Sequence, residues 1–432
     1  MKEASDSTIC VVDGGLFFEL SLVLARQFKR VLYQCLIEET APRINTAVIG
    51  DGFSEVERIQ DFWPIKNQID VFCFPDCSFP GLQLELESQG KAVWGSRNGA
   101  FLEWNRREFM EKLKGIGLPS PKYDVVIGLA ALRDYLEDKE DFYVKISKYR
   151  GSFETKHWVD QRTSSDWFDE LAIEFGGVQN DIEFLCFPNI IAEVELGYDG
   201  YFCGDRFPKL SASGIECKDR SYFGSIIAYK DLPDQLKDVN DAMAPILKGY
   251  DYANFYSAEV RVDAEGVGWF TDPTCRHASP AGETQLELYG NLPEIIMAGA
   301  HGEMVDPEPT AKYAAQALIE HKGDEKQWRR IIVPNEVRQW VKLYQPVKIA
   351  EEVYDEPPLQ HSCSTVGSVI GLGDTPSEAI EALKENSAAL GNQPIEIRID
   401  ALVETAVEIE AAEKAGMELT NHDMPNAEEI LQ

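Results

Sequence analysis

The chain has 432 residues, 44% of them hydrophobic, and carries a formal net charge of −33. That length exceeds one ordinary hydrophobic core and predicts two or three domains, while the apolar content is that of a globular protein. The negative field repels nucleic-acid phosphates and anionic lipid, no apolar run has the length of a membrane span, and the opening residues lack a signal-peptide pattern. Direct nucleic-acid binding and membrane association are therefore not expected, and the expected location is the cytoplasm. Nine scattered cysteines fit reduced thiols better than a disulfide framework, and Cys73 and Cys77 lack a second Cys or His pair in zinc spacing.

Residues 8–13 read as a buried strand ending in the Gly14-Gly15 turn, and residues 17–28 carry the apolar spacing of a helix. Apolar segments at 30–36, 69–74 and 92–94 continue the alternation, which predicts a Rossmann-like domain with a parallel sheet over residues 1–100. The Gly pair does not complete a GxGxxG fingerprint, so a tight strand-to-helix turn is the simpler reading. An amphipathic helix over 103–115 and the stop Gly117-Leu118-Pro119-Ser120-Pro121 open a central region expected to span 101–340. A strand through Lys145 leads into a loop holding Lys148, Arg150, Gly151, Ser152 and Lys156. This loop either covers a polyphosphate with backbone N–H and ammonium groups or is a solvated hairpin tip. The next strand passes through Glu193 and Val194 into an acidic turn at Asp199.

Residues 259–276 predict a β-hairpin, with runs rich in Val and aromatic residues flanking the turn Asp263-Ala264-Glu265-Gly266. Folding about that turn sets Glu259 opposite Asp272, with Thr274 and Arg276 following at steps of two. Two carboxylates, a hydroxyl and a guanidinium would suit a hard divalent cation and a phosphoryl group; an acidic solvated hairpin is the alternative. Beyond Pro346 the composition shifts toward a linker. Residues 368–379 then give a strand, a turn and a helix whose capping box pairs Thr375 with Glu378, within a small α+β domain over 341–432.

The order of these pieces resembles the ATP-grasp superfamily and, within it, the phosphoribosylamine–glycine ligases. The resemblance rests on the strand lysine Lys145 before a Gly-Ser loop, the acidic hinge strand, the Asp272-x-Thr274-x-Arg276 stretch beside Glu259, and the Pro280 and Glu283-Thr284-Gln285 segment. It implies a multidomain α/β and α+β protein whose central domain has two lobes, the mobile small one over about 120–195. It further implies an ADP-forming ligase that joins a small-molecule carboxylate to an amine through an acyl phosphate, using ATP and Mg²⁺, or Mn²⁺ in its place. By position, Lys145 would contact phosphates with Gly151, Ser152 and Lys156 in the covering loop, Glu193 and Val194 would receive adenine, and Asp199 would hold the ribose. Glu259, Asp272 and Thr274 would serve the metal, and Arg276 with Lys145 the reacting phosphoryl group.

Three departures stand out. Asp272 and Thr274 replace the Glu and Asn of the Glu-x-Asn-x-Arg pattern, Arg106 and Arg107 stand where a second nucleotide lysine is usual, and Leu16-Phe17-Phe18 follows the Gly pair where Arg-Glu-His is usual. An apolar turn cannot bind a sugar phosphate, so an altered substrate is expected. The alternatives are a true glycinamide ribonucleotide synthetase, a ligase acting on a modified nucleotide or peptide, and an inactive fold kept for binding. The oligomeric state stays open.

Overall fold

The computed structural model describes residues 2–36, 48–148, 155–192, 194–324, 326–355, 364–414, 416, 419–420 and 422–431. Among them the strands fall into four sheets. The first comprises β1 (Thr8–Asp13), β2 (Arg30–Cys35), β3 (Glu57–Arg58), β4 (Val71–Cys73) and β5 (Ala92–Trp94), all parallel in the order β3-β2-β1-β4-β5. Its central strands β1 and β4 and the edge strand β5 are largely apolar without alternation because both faces are covered. Ile9 and Val11 enter one core cluster with Phe18 and Leu20, while Cys10 and Val12 enter another with Phe62 and Phe72. The strand order reverses beside β1, so a crevice opens beyond the carboxyl ends of β1 and β4, at Gly14-Gly15 and Pro75-Asp76.

The second sheet is antiparallel, with β6 (Asp124–Ile127), β7 (Phe142–Ile146), β8 (Thr155–Trp158) and β9 (Glu183–Pro188) in the order β6-β9-β7-β8. One face packs through Val126, Val144, Ile146, Trp158 and Phe184 against Leu132 and Leu136 of one helix and Trp167, Phe168 and Leu171 of another. The other face carries Val125, Leu185, Lys145 and Thr155 in a single row.

The remaining strands are β10 (Val194–Phe202), β11 (Leu210–Cys217), β12 (Ser221–Ala228), β13 (Asn254–Val262), β14 (Gly268–Thr274), β15 (Tyr313–His321), β16 (Arg329–Ile331), β17 (Val341–Leu343), β18 (Pro346–Ile349), β19 (Glu352–Asp355), β20 (Thr365–Gly373) and β21 (Ile395–Ile397). The large sheet runs β14-β13-β10-β11-β12-β15-β20-β17 with β21 also on β15, and β16-β19-β18 form a small sheet. The boundary expected at 340/341 therefore falls inside the large sheet, which continues from β15 into β20 and β17. The expected capping box is present on the helix Pro376–Ala389.

An ionic seam whose carboxylates are buried ties the first sheet's helix to the large sheet. Glu287 accepts both guanidinium nitrogens of Arg26 at 2.7 Å and the Lys342 ammonium at 2.5 Å, and Arg338 pairs with Glu19 at 2.6 Å. No helix among the described residues is long and apolar enough to cross a membrane.

Candidate active site

A β-bulge builds the centre of the site. Val260 pairs with Phe270, but the next partner of Glu259 is Asp272, which leaves Thr271 as the extra residue. Without that residue Glu259 would face Thr271, and Asp272 would lie beside the buried Ala258 on the opposite face. The bulge thus sets the two carboxylates side by side. Across the sheet their row continues to Gly197 and Gly214, where a Cβ on Gly197 would come within 2.8 Å of the Gly214 carbonyl oxygen. Side chains at steps of two from this row share its face, which adds Glu195, Glu216 and Thr274.

Two cations from other elements converge on Asp272. The Lys145 ammonium on β7 lies 2.9 Å from Oδ2, and Nη1 of Arg106, in the helix Arg106–Ile116, lies 2.9 Å from Oδ1 and 3.1 Å from Oδ2. The Arg106 side chain is 4% exposed, that of Lys145 14% and that of Asp272 23%. Burial lowers the Lys145 pKa while Asp272 opposes the shift. The neighbouring Arg107 turns the other way, to Glu183 at 3.0 Å.

Glu259 has no hydrogen bond or ion pair to its carboxylate among the described residues. Burial pushes its pKa up, Glu195 and Asp272 add to the rise, and Lys218 opposes it. Lys218 is itself held above its usual value, first by Glu259 and then by Glu216, Asp272 and Glu195, against the effect of burial. Nothing in the sequence singled out Glu195, Glu216 or Lys218, because only the pairing of β10 with β11 and β13 brings them to this face.

No three His, Cys, Asp or Glu side chains among the described residues converge closely enough to hold a metal on protein ligands alone. Two hard oxygen donors fit an ion of the Mg²⁺ kind, which keeps water and phosphate oxygens for its other positions. The Thr274 hydroxyl, two pairs further along against Ser257, lies on the same face. Asp199 lies deeper, with its oxygens accepting from Ser257 at 2.8 Å and Tyr222 at 2.9 Å, and burial raises its pKa to about 6.

Arg276 stands past the end of β14. Its Nε donates to Glu103 at 3.0 Å and its Nη1 to the His277 carbonyl at 3.2 Å, while the Cys275 N–H donates to the other Glu103 oxygen at 2.8 Å. Glu103 is 2% exposed and fixes the guanidinium, a role its lone position in the sequence did not signal. The His277 N–H donates to the Pro75 carbonyl at 2.8 Å, so this segment closes on the crevice at the end of β4. At the end of β1, Asp13 accepts from the N–H groups of Gly15 and Phe17 and from Tyr33, all within 2.7 Å, and so caps a turn. Phe17 packs edge-on against His277, Phe18 packs on Tyr33, and Leu16 is exposed.

The structure thus brings Lys145, Glu259, Asp272 and Thr274 together, with Asp199 beneath and Arg276 toward the crevice. Val194 is buried at the start of β10, in the core cluster that also holds Leu185 and Phe187 of β9. Lys156 departs from expectation: it pairs with Val144, so its side chain leaves β8 on the face opposite Lys145, where Thr155 stands instead. Gly151, Ser152 and Glu193 lie outside the described residues. A cavity of about 710 Å³ lined by Glu87, Lys91, Arg97, Asp251 and His301 lies apart from all of these residues.

A parallel sheet beside an antiparallel four-stranded sheet that faces a larger one is the architecture of the ATP-grasp fold, which this chain has. It is similar to the phosphoribosylamine–glycine ligase of Thermotoga maritima, at 14% identity over 90% of this chain and 97% of that one, with a TM-score of 0.67. It is also similar to the biotin carboxylase domain of the Hydrogenobacter thermophilus 2-oxoglutarate carboxylase, in complex with MgADP, ADP and bicarbonate (10% identity, 98% and 97% covered, TM-score 0.64). The L-amino acid ligase of Bacillus licheniformis matches at 12% identity, with 92% and 99% covered and a TM-score of 0.60. No family model and no curated protein matches the sequence.

Proposed function

We propose that the chain is an ATP- and Mg²⁺-dependent carboxylate–amine ligase, with Mn²⁺ able to replace Mg²⁺. The observation that carries this reading is the convergence of Lys145 and Arg106 with the cross-strand carboxylates Glu259 and Asp272 on one sheet face. Lys145 and Arg106 hold the polyphosphate; Glu259 and Asp272, with the Thr274 hydroxyl beside them, hold the metal that neutralises phosphate charge. Adenine lies by Glu193 and Val194, and Gly151-Ser152 covers the phosphates.

An oxygen of the substrate carboxylate attacks the γ-phosphorus and ADP leaves. The amine nitrogen then attacks the acyl carbon, the C–O bond to phosphate breaks, and the proton on nitrogen passes to the departing phosphate or water. Arg276, fixed by Glu103 at the crevice, stabilises the charge on the oxygens during both transfers. In this reading residues 1–100 shape the acceptor crevice, 101–340 hold the nucleotide with a small lobe over about 120–195, and 341–432 complete the large sheet that carries the site. Leu16, Phe17 and Phe18 offer the crevice no cation, which favours an acceptor without a phosphate.

Phosphate release from ATP, screened against pooled carboxylic acids and amines with mass detection of the product, tests the reading. A conjugate whose formation needs both substrates and Lys145 supports it. Tight MgADP binding without turnover in any pool would favour a non-catalytic nucleotide-binding protein.

A further inference from the structure

Both cations assigned to the phosphates lie on one of the carboxylates assigned to the metal. Lys145 and Arg106 come from two different elements, β7 and the helix Arg106–Ile116, and meet at Asp272. A divalent ion arriving alone at Asp272 displaces or faces two positive groups that have little access to water. A nucleotide arriving alone draws those cations away and leaves Asp272 beside Glu259 and the incoming phosphates, all negative. Arriving together they exchange partners without loss of balance: the metal takes the carboxylates and the phosphates take the cations.

We propose that Arg106 and Lys145 form an electrostatic interlock on Asp272, which makes the site selective for the metal–nucleotide complex over either component. The inference rests on the proposed nucleotide site and adds a role for Arg106 that phosphate binding by itself does not include. As a positioning residue, Arg106 suppresses metal binding in the free protein. Coupling of this kind is reciprocal and commonly spans about 5- to 150-fold in affinity.

The test uses the full chain with Mn²⁺ alone, followed by electron paramagnetic resonance of the free ion, and ADP with and without Mn²⁺, followed by calorimetry. Wild-type protein should bind Mn²⁺ alone weakly and Mn²⁺ with ADP tightly. Arg106→Gln should bind Mn²⁺ alone about tenfold more tightly, with the gain in ADP affinity from Mn²⁺ reduced by a similar factor. Lys145→Gln should move Mn²⁺ binding in the same direction and serves if Arg106→Gln fails to fold. Binding of Mn²⁺ with ADP to wild type, together with unchanged Mn²⁺-only affinity in both variants, overturns the interlock and leaves the nucleotide site standing. Failure of wild type to bind ADP with or without metal overturns both.

Discussion

Asp272→Asn removes the charge from a group that holds two cations at 2.9 Å while keeping its size. Removing one partner of a buried ion pair costs about 3–5 kcal/mol, because the other charge stays buried and uncompensated. Asp272 retains 23% exposure, so water recovers part of that cost, and relief of its repulsion with Glu259 offsets about 1 kcal/mol more. The expected net loss is about 2–3 kcal/mol, from urea unfolding of wild type and variant followed by tryptophan fluorescence. ADP without metal should restore more stability to the variant than to wild type, since its phosphates then meet two cations freed from Asp272. Coincident unfolding curves within about 0.5 kcal/mol, as for a surface acid, would refute the accounting.

Lys145→Met should weaken MgADP binding by a factor on the order of 10², read by calorimetry, because a charge-assisted contact in a water-poor site is lost. Asp199 binds its proton more tightly folded than unfolded, so its contribution is full below about pH 4 and is lost as pH rises through about 6, a change of roughly 3 kcal/mol. Asp199→Asn should remove that slope between pH 4 and 6 in chemical denaturation, and an unchanged slope would assign it to other groups. Phosphoribosylamine with glycine should be a poor substrate pair; efficient formation of glycinamide ribonucleotide, detected by mass, would restore sugar-phosphate recognition despite Leu16 to Phe18.

The hairpin was legible because its signals are local: alternating Val and aromatic residues about an acidic glycine turn. Its pairing of Glu259 with Asp272 was expected, but the bulge at Thr271 that makes their faces coincide has no marker in the sequence. The parallel sheet was legible for a similar reason, since β1 is apolar at successive positions. Arg106 could be noted as a substitution, but its contact with Asp272 spans 166 residues and depends on how a helix settles against β14. Lys156 misled because proximity to Lys145 in sequence says nothing of which face a strand residue takes: the register set it opposite Val144. Glu103 and Lys218 carry no local signal of a role: Lys218 reaches the site through strand pairing, and Glu103 through the packing of the helix Phe101–Trp104 beside the segment that follows β14.

The continuity of the large sheet past residue 340 has a consequence for anyone wishing to shorten the protein. A fragment ending after Trp340 would lose β17, β20 and β21 and leave the nine residues of β15 with an open row of amide and carbonyl groups. Its sequence from Tyr313 to Ile319 carries no charge, and all of it is buried in the whole chain. Such a bare, flat, uncharged border is a template for a second copy to add its own strand, so the fragment should pass into insoluble assemblies.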